Sequence, residues 1–197
     1  MNSSLRIGLL GGSFNPAHAG HLHISLEALR RLKLDQVWWL VSPQNPLKSS
    51  KDMATYEKRF ASACEITAKH CNIIVSNFEK IHNLTYTYAT LRELKKRHPK
   101  VKFVWIMGAD NLAGFHKWQN WRSILNIMPM VIFDRSPFSH TGLRSKAANA
   151  LKRLRLNEKT VSAIADHKKR WAYMYILSRR HPASSTSIRQ ETNYSLE

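Results

Sequence analysis

Apolar runs rich in Val, Ile and Trp recur at 5–10, 36–41, 72–76, 101–107, 129–133 and 171–177. Each run is continuous rather than alternating, which is the pattern of a strand buried on both faces. Between them, at 19–32, 56–69, 87–97 and 143–154, apolar residues return every three or four positions, as one face of a helix requires. Strand and helix therefore alternate, which predicts an α/β fold. A doubly wound parallel sheet with helices on both faces is expected, with ligands beyond the carboxyl ends of the strands. A chain of 197 residues supports one sizeable core, so 1–197 reads as a single domain. Residues 136–170 are denser in Lys and Arg and carry no strand signal; they read as a basic helical insertion.

Composition changes this picture in three places. The apolar runs are too short to span a bilayer, and Arg6 and Gly8 interrupt any signal-peptide core, so a cytoplasmic location is expected. The two cysteines, Cys64 and Cys71, are spaced two helical turns apart rather than as a CxxC clasp, and reduced thiols are expected. Against 13 Asp and Glu stand 31 Lys and Arg, a net charge of +18, so the surface must attract anions: a nucleotide or a nucleic acid.

Candidate chemistry concentrates after the first strand, in the run Gly8-Leu9-Leu10-Gly11-Gly12-Ser13-Phe14-Asn15-Pro16-Ala17-His18-Ala19-Gly20-His21. Glycines let backbone N–H groups approach an anion, and the start of the following helix adds unsatisfied N–H groups and the positive end of its dipole. His18 and His21, three apart at the helix entry, can both donate to phosphate oxygens. A zinc site built on His18, His21 and His23 is the weaker alternative, because no Cys or acidic ligand completes a known spacing. Near the other end, Ser184-Ser185-Thr186-Ser187-Ile188-Arg189 combines capping hydroxyls with a first-turn arginine, either a second anion-binding helix start or a plain capped helix. Asp110, after the strand ending at Gly108, is a candidate ribose ligand or a helix cap.

The first run resembles the GxFxPxHxGH signature of the nucleotidyltransferase superfamily, and 184–189 resembles its ISSTxIR motif. The resemblance, which spans 5–135 and 171–189, is to nicotinate-nucleotide adenylyltransferases and implies a Rossmann-like sheet of the nucleotidyltransferase type. It implies His18 and His21 as catalytic groups, and ATP contacts through Gly11, Gly12, Ser13 and Phe14. Lys48 is implied as a phosphate ligand, Gly108 and Asp110 as adenosine contacts from a GADN segment, and Ser185, Thr186 and Arg189 as holders of the β- and γ-phosphates. For nicotinate mononucleotide it implies Thr87, in a segment similar to YTxDTL, Trp118 stacked on the pyridine, and Arg135 near the phosphate. Taken alone, Thr87 is equally a helix cap and Trp118 a packing residue; Trp121 is assigned to packing. Leu47, where a histidine is common, and Ala89, where an aspartate is common, depart from the pattern, and the chain stops eight residues after Arg189, where relatives usually continue.

The implied reaction is in-line attack of the mononucleotide phosphate on the α-phosphorus of ATP, with Mg²⁺ held mainly by the substrate phosphates. Nicotinate and nicotinamide are not distinguished by the sequence, nor is the oligomeric state. Pantetheine-phosphate adenylyltransferase shares the histidine loop and is the enzyme rival. A nucleic-acid-binding protein using a basic helix over 143–156, with Arg144, Lys146, Lys152, Arg153 and Arg155, is the alternative of another class. A solvated helix face is the favoured reading of that segment, so nucleic acid and membrane are not the expected partners.

Overall fold

A computed structural model describes residues 4–44, 53–134, 142–156, 164–166, 173–176, 185, 188 and 189. Among the described residues, seven strands form one sheet: β1 (Arg6–Gly12), β2 (Gln36–Val41), β3 (Ile73–Ser76), β4 (Lys102–Gly108), β5 (Met130–Phe133), β6 (Arg155–Leu156) and β7 (Tyr173–Ile176). Their order is β3-β2-β1-β4-β5-β7-β6, and every neighbouring pair is parallel. The helices are α1 (Ala19–Leu32), α2 (Tyr56–Thr67), α3 (Phe78–Ile81), α4 (Thr87–Arg97), α5 (Ala109–Gly114), α6 (Trp121–Ile124) and α7 (Lys146–Ala150). Short 3₁₀ turns lie at Phe115–Lys117 and Lys152–Leu154.

Side chains of successive strand residues point to opposite faces, and the two halves of the core divide accordingly. Ile7, Leu9, Phe103, Trp105 and Met107 lie on one face with Leu91 and Leu94 of α4, Leu112 of α5 and Ile124 of α6. Leu10, Val104 and Ile106 lie on the other with Ile24, Ala28 and Leu32 of α1 and Ala63 of α2. The sheet is thus covered on both sides, as the continuous apolar runs predict. The chain winds from β1 outward to β3, then returns to β4 on the other side of β1, so the order reverses between β1 and β4. Ligands of such sheets bind at the carboxyl ends of the strands at the switch point, which here lies between the loops leaving Gly12 and Gly108.

Two expectations for 136–170 need correction. The segment expected as one helix over 143–154, or 143–156, is broken: α7 covers five residues, a 3₁₀ turn follows, and Arg155–Leu156 pairs with β7 as the edge strand β6. Two residues are too few for a strand period to register, and Leu151, buried, ends the helix. The basic residues between 144 and 155 therefore share no continuous helical face. Among the described residues, no helix is long and apolar enough to cross a membrane, and Cys64 and Cys71 are free and exposed.

Candidate active site

The loop after β1 is built around a histidine cap. His18 is the N-cap of α1 in an extended conformation, and its Nδ1 accepts the Gly20 N–H at 3.1 Å. His21 reaches back, its Nδ1 accepting the His18 N–H at 3.2 Å. This is a capping box, the reciprocal arrangement usually made by Ser or Thr with Glu, made here from two imidazoles. The consequence is chemical as well as structural. A ring nitrogen that accepts an N–H carries no proton, so in each neutral ring the proton sits on Nε2, which becomes the donor. The rings lie 3.8 Å apart between centroids. His18 is 2% exposed and His21 half-buried.

A second layer holds the rings in place. Phe14, in the left-handed region at φ 47°, packs its ring 4.9 Å from Trp39 and 4.8 Å from His21. The Trp39 indole donates to the Ser25 hydroxyl at 2.7 Å, and Ser25 donates to the His21 carbonyl at 2.9 Å. The Phe14 side chain is buried in the core, where it supports His21, so any contact of this residue with ATP would be through its backbone. Gly11 has a packing role as well. A Cβ there would overlap the Trp105 ring, so the missing side chain makes room for a buried indole. Gly11→Ala is expected to cost about 1–3 kcal/mol by overpacking, read as a lower urea midpoint with an unchanged slope. At Gly12 a Cβ would meet the Phe14 ring at an ordinary contact distance of 3.4 Å.

The C-terminal motif meets this loop. Arg189 Nη1 donates to the Asn15 carbonyl at 2.6 Å, across 174 positions of sequence, and Ser185 Oγ donates to the Pro16 carbonyl at 3.0 Å. Ser13 is 7% exposed, and its hydroxyl has no hydrogen-bond partner among the described residues. At the end of β4, Gly108 is the N-cap of α5 and lacks a side-chain cap. Asp110, half-buried in the first turn, is therefore not the cap.

The acceptor-side candidates lie on the other face of the sheet. Thr87 is the first residue of α4, whose N-cap is Tyr86 with no side-chain cap, so Thr87 is not a cap either. Trp118 is half-buried and packs edge-on against Trp105 at 6.3 Å and Phe115 at 5.3 Å. Trp121 packs on Phe115 at 5.8 Å with the Arg122 guanidinium 4.7 Å over its ring. Lys48, Thr186 and Arg135 lie outside the described residues. Among the described residues, no three His, Cys, Asp or Glu side chains gather as a metal site.

Two buried groups carry no motif and escape a reading of the sequence. Arg59 is 1% exposed. Its guanidinium donates to the carbonyls of Ser13 at 2.6 Å, Ser42 at 2.8 Å, Pro43 at 2.9 Å and Ala54 at 3.1 Å, stitching the β1 loop to the β2 exit. The signal was available: Arg59, Ala63 and Thr67 form the buried stripe of α2 at four-residue spacing, and a cation on such a stripe needs partners. Asn15 Oδ1 adds a further tie, accepting the Ala54 N–H at 3.1 Å.

The second group is Glu79 on α3, 6% exposed. Burial pushes its carboxyl up from 4.5 to about 7, opposed chiefly by the hydrogen bond that the Thr90 hydroxyl donates to its Oε1 at 2.8 Å. Between those values the folded chain keeps a proton that the unfolded chain has lost. The stabilisation is therefore complete below 4.5 and is lost as pH rises through about 7, roughly 3 kcal/mol in all. Glu79→Gln removes this titration. Urea denaturation should show the variant gaining about that much on the wild type between pH 4.5 and 8; a constant difference would contradict it.

The cytidylyltransferase-like family model matches residues 9–191. A protein of Agrobacterium fabrum named "Probable nicotinate-nucleotide adenylyltransferase" is 45% identical over 183 residues, which is 93% of this chain and 97% of that one. Its namesake from Parvibaculum lavamentivorans is 43% identical over 196 residues, 100% of this chain and 96% of that one. Among solved structures, the Plasmodium falciparum nicotinic acid mononucleotide adenylyltransferase complexed with NaAD aligns with a TM-score of 0.67. At 18% identity, over 94% of this chain and 83% of that one, it speaks for the shared fold.

Proposed function

The chain belongs to the cytidylyltransferase-like family, among its nicotinate-nucleotide adenylyltransferases, and from that premise we propose that the switch point between β1 and β4 binds ATP against the histidine loop. The reaction is transfer of the adenylyl group of ATP to nicotinate mononucleotide, giving nicotinate adenine dinucleotide and pyrophosphate in NAD biosynthesis. The observation that carries the assignment of the site is the contact of Arg189 and Ser185 with the carbonyls of Asn15 and Pro16, beside His18. Groups from opposite ends of the chain thereby converge where a triphosphate would lie. We place the enzyme in the cytoplasm.

In this reading an oxygen of the mononucleotide phosphate attacks the α-phosphorus, and the bond from that phosphorus to the β-phosphate bridging oxygen breaks. His18 donates from Nε2 to an α-phosphate oxygen and His21 to a neighbouring phosphate. Ser13, whose buried hydroxyl would gain a partner, and Arg189, Ser185, Thr186 and Lys48 hold the leaving pyrophosphate. Both substrates are anions, so repulsion is the obstacle. At about 4 Å and an effective dielectric near 20, one cation offsets roughly 4 kcal/mol of it. The donors at the loop are imidazole, hydroxyl and guanidinium, poor ligands for a hard cation. Magnesium would thus ride on the phosphate oxygens, where it neutralises their charge. In this proposal Asp110 meets the ribose, Thr87 the nicotinate carboxylate and Trp118 the pyridine, and Arg135, outside the described residues, is assigned to the acceptor phosphate.

Pyrophosphate release with ATP and a panel of acceptors tests the function. Nicotinate mononucleotide should support turnover and phosphopantetheine should not; the reverse result would favour the pantetheine enzyme. Trp118→Ala should raise KM for the mononucleotide about tenfold, equivalent to 1.4 kcal/mol of lost stacking, while KM for ATP moves less than about twofold. An unchanged acceptor KM would return Trp118 to the core.

A further inference from the structure

Trp105 sits in the core at two costs that packing alone does not explain. Its indole is 2% exposed, and its buried Nε1–H has no hydrogen-bond partner among the described residues. A buried indole N–H ordinarily finds an acceptor, and one left without loses free energy that a phenylalanine ring would not. The second cost falls on the neighbouring strand. Trp105 lies opposite Leu9 in the register of β4 with β1, and Gly11 is the next residue on that face of β1. The outer edge of the indole covers Gly11 so closely that position 11 has no room for a Cβ. A strand residue thus has to be glycine, with its larger loss of chain entropy, to admit this ring.

What the large ring reaches is Trp118. The two indoles meet edge-on, 6.3 Å between centroids at an interplanar angle of 77°, and Phe115 meets Trp118 edge-on at 5.3 Å and 69°. Trp105 and Phe115 are buried, whereas Trp118 is half-buried and keeps part of its surface open. The Trp118 N–H donates to the Phe115 carbonyl at 3.0 Å, and the two ring contacts set the plane of its indole.

We propose that Trp105 is a positioning residue for the acceptor: its indole, seated on Gly11, braces Trp118 edge-on in the orientation that stacks on the pyridine of nicotinate mononucleotide. This rests on the function proposed above. Stacking depends on the mutual tilt and offset of the rings, so a brace on the Trp118 plane contributes to acceptor affinity. Phenylalanine at 105 would fill much of the volume and remove the unpaired donor, but a single ring covers less than an indole and loosens the contact with Trp118. The loss falls on acceptor binding in the ground and transition states alike, which raises KM and leaves kcat. A merely structural role would lower the fraction of folded enzyme, and with it kcat at an unchanged KM.

The test is steady-state pyrophosphate release by the full chain as wild type, Trp105→Phe, Trp118→Ala and the double variant. Trp105→Phe should raise KM for nicotinate mononucleotide about fivefold, with kcat and KM for ATP each within about twofold of wild type. In the Trp118→Ala background the same replacement should move the acceptor KM less than about twofold, because the brace then has nothing to hold. Independent increases that multiply in the double variant would overturn the inference. So would an unchanged acceptor KM in Trp105→Phe beside a raised one in Trp118→Ala; either result leaves the proposed function standing. A wild type that releases no pyrophosphate with this acceptor, or a Trp118→Ala enzyme with an unchanged acceptor KM, would sink the inference together with the reading it rests on. Should Trp105→Phe fail to fold by circular dichroism, Gly11→Ala/Trp105→Phe, whose added methyl takes up room left by the smaller ring, is measured in the same two backgrounds against the same acceptor outcomes.

Discussion

Replacing His18 by alanine is expected to lower kcat by about 10²- to 10³-fold, the effect of removing one preorganised donor from a transition state that gathers charge. Alanine does two things here, however. It removes the Nε2–H donor, and it also removes the cap that Nδ1 provides to the Gly20 N–H, worth about 1 kcal/mol of stability. Asparagine separates them. It is among the best N-cap residues and suits the extended backbone of position 18, but it is too short to place a donor where the imidazole Nε2 stands. His18→Asn should therefore melt close to the wild type and still lose the same 10²- to 10³-fold in kcat. Turnover of His18→Asn near the wild-type rate would show that the ring serves only as a cap.

The largest stability effect is expected at Arg59. Leucine in its place would fill the volume but leave four backbone carbonyls without their donor, two of them, Ser13 and Ala54, in hydrogen bonds buried at both ends. At about 1–3 kcal/mol for each buried group left unsatisfied, less what entering water restores, the cost is about 4 kcal/mol. In a chain of this size that lowers Tm by about 10 °C. Arg59→Lys should recover a minor part, because an ammonium cannot span carbonyls arranged for a planar fork. The rate should fall as well, since the Ser13 and Ser42 segments lose their common anchor. A Tm within about 2 °C of the wild type would mean the four carbonyls find other donors.

The fold was legible because a parallel sheet buries both faces of its strands, and Leu9-Leu10 and Trp105-Ile106 divide between the two cores as continuous apolar runs require. The edge strand β6 was not, because two residues carry no period and Arg155 is exposed. At the site, the residue types pointed to the chemistry but not to the division of labour. The glycines of the first loop suggest phosphate, and the sequence does not show that Gly11 also makes room for the Trp105 indole. Phe14 belongs to a nucleotide-binding signature, yet its ring is a wedge between Trp39 and His21. His18 was legible as a donor and not as a cap, because the residues sought at an N-cap are Ser, Thr, Asp and Asn. Arg59 and Glu79 are set by contacts 46 and 11 positions away in sequence, and no local pattern announces such partners.

A crystal structure of the protein with a non-hydrolysable ATP analogue bears most directly on the convergence of the histidine loop with the Ser185–Arg189 segment upon one triphosphate. The α-phosphate should lie within hydrogen-bonding distance of His18 Nε2, and the outer phosphates against Ser185 and Arg189. A triphosphate bound elsewhere, with the His18 ring still covered and out of its reach, would contradict the site.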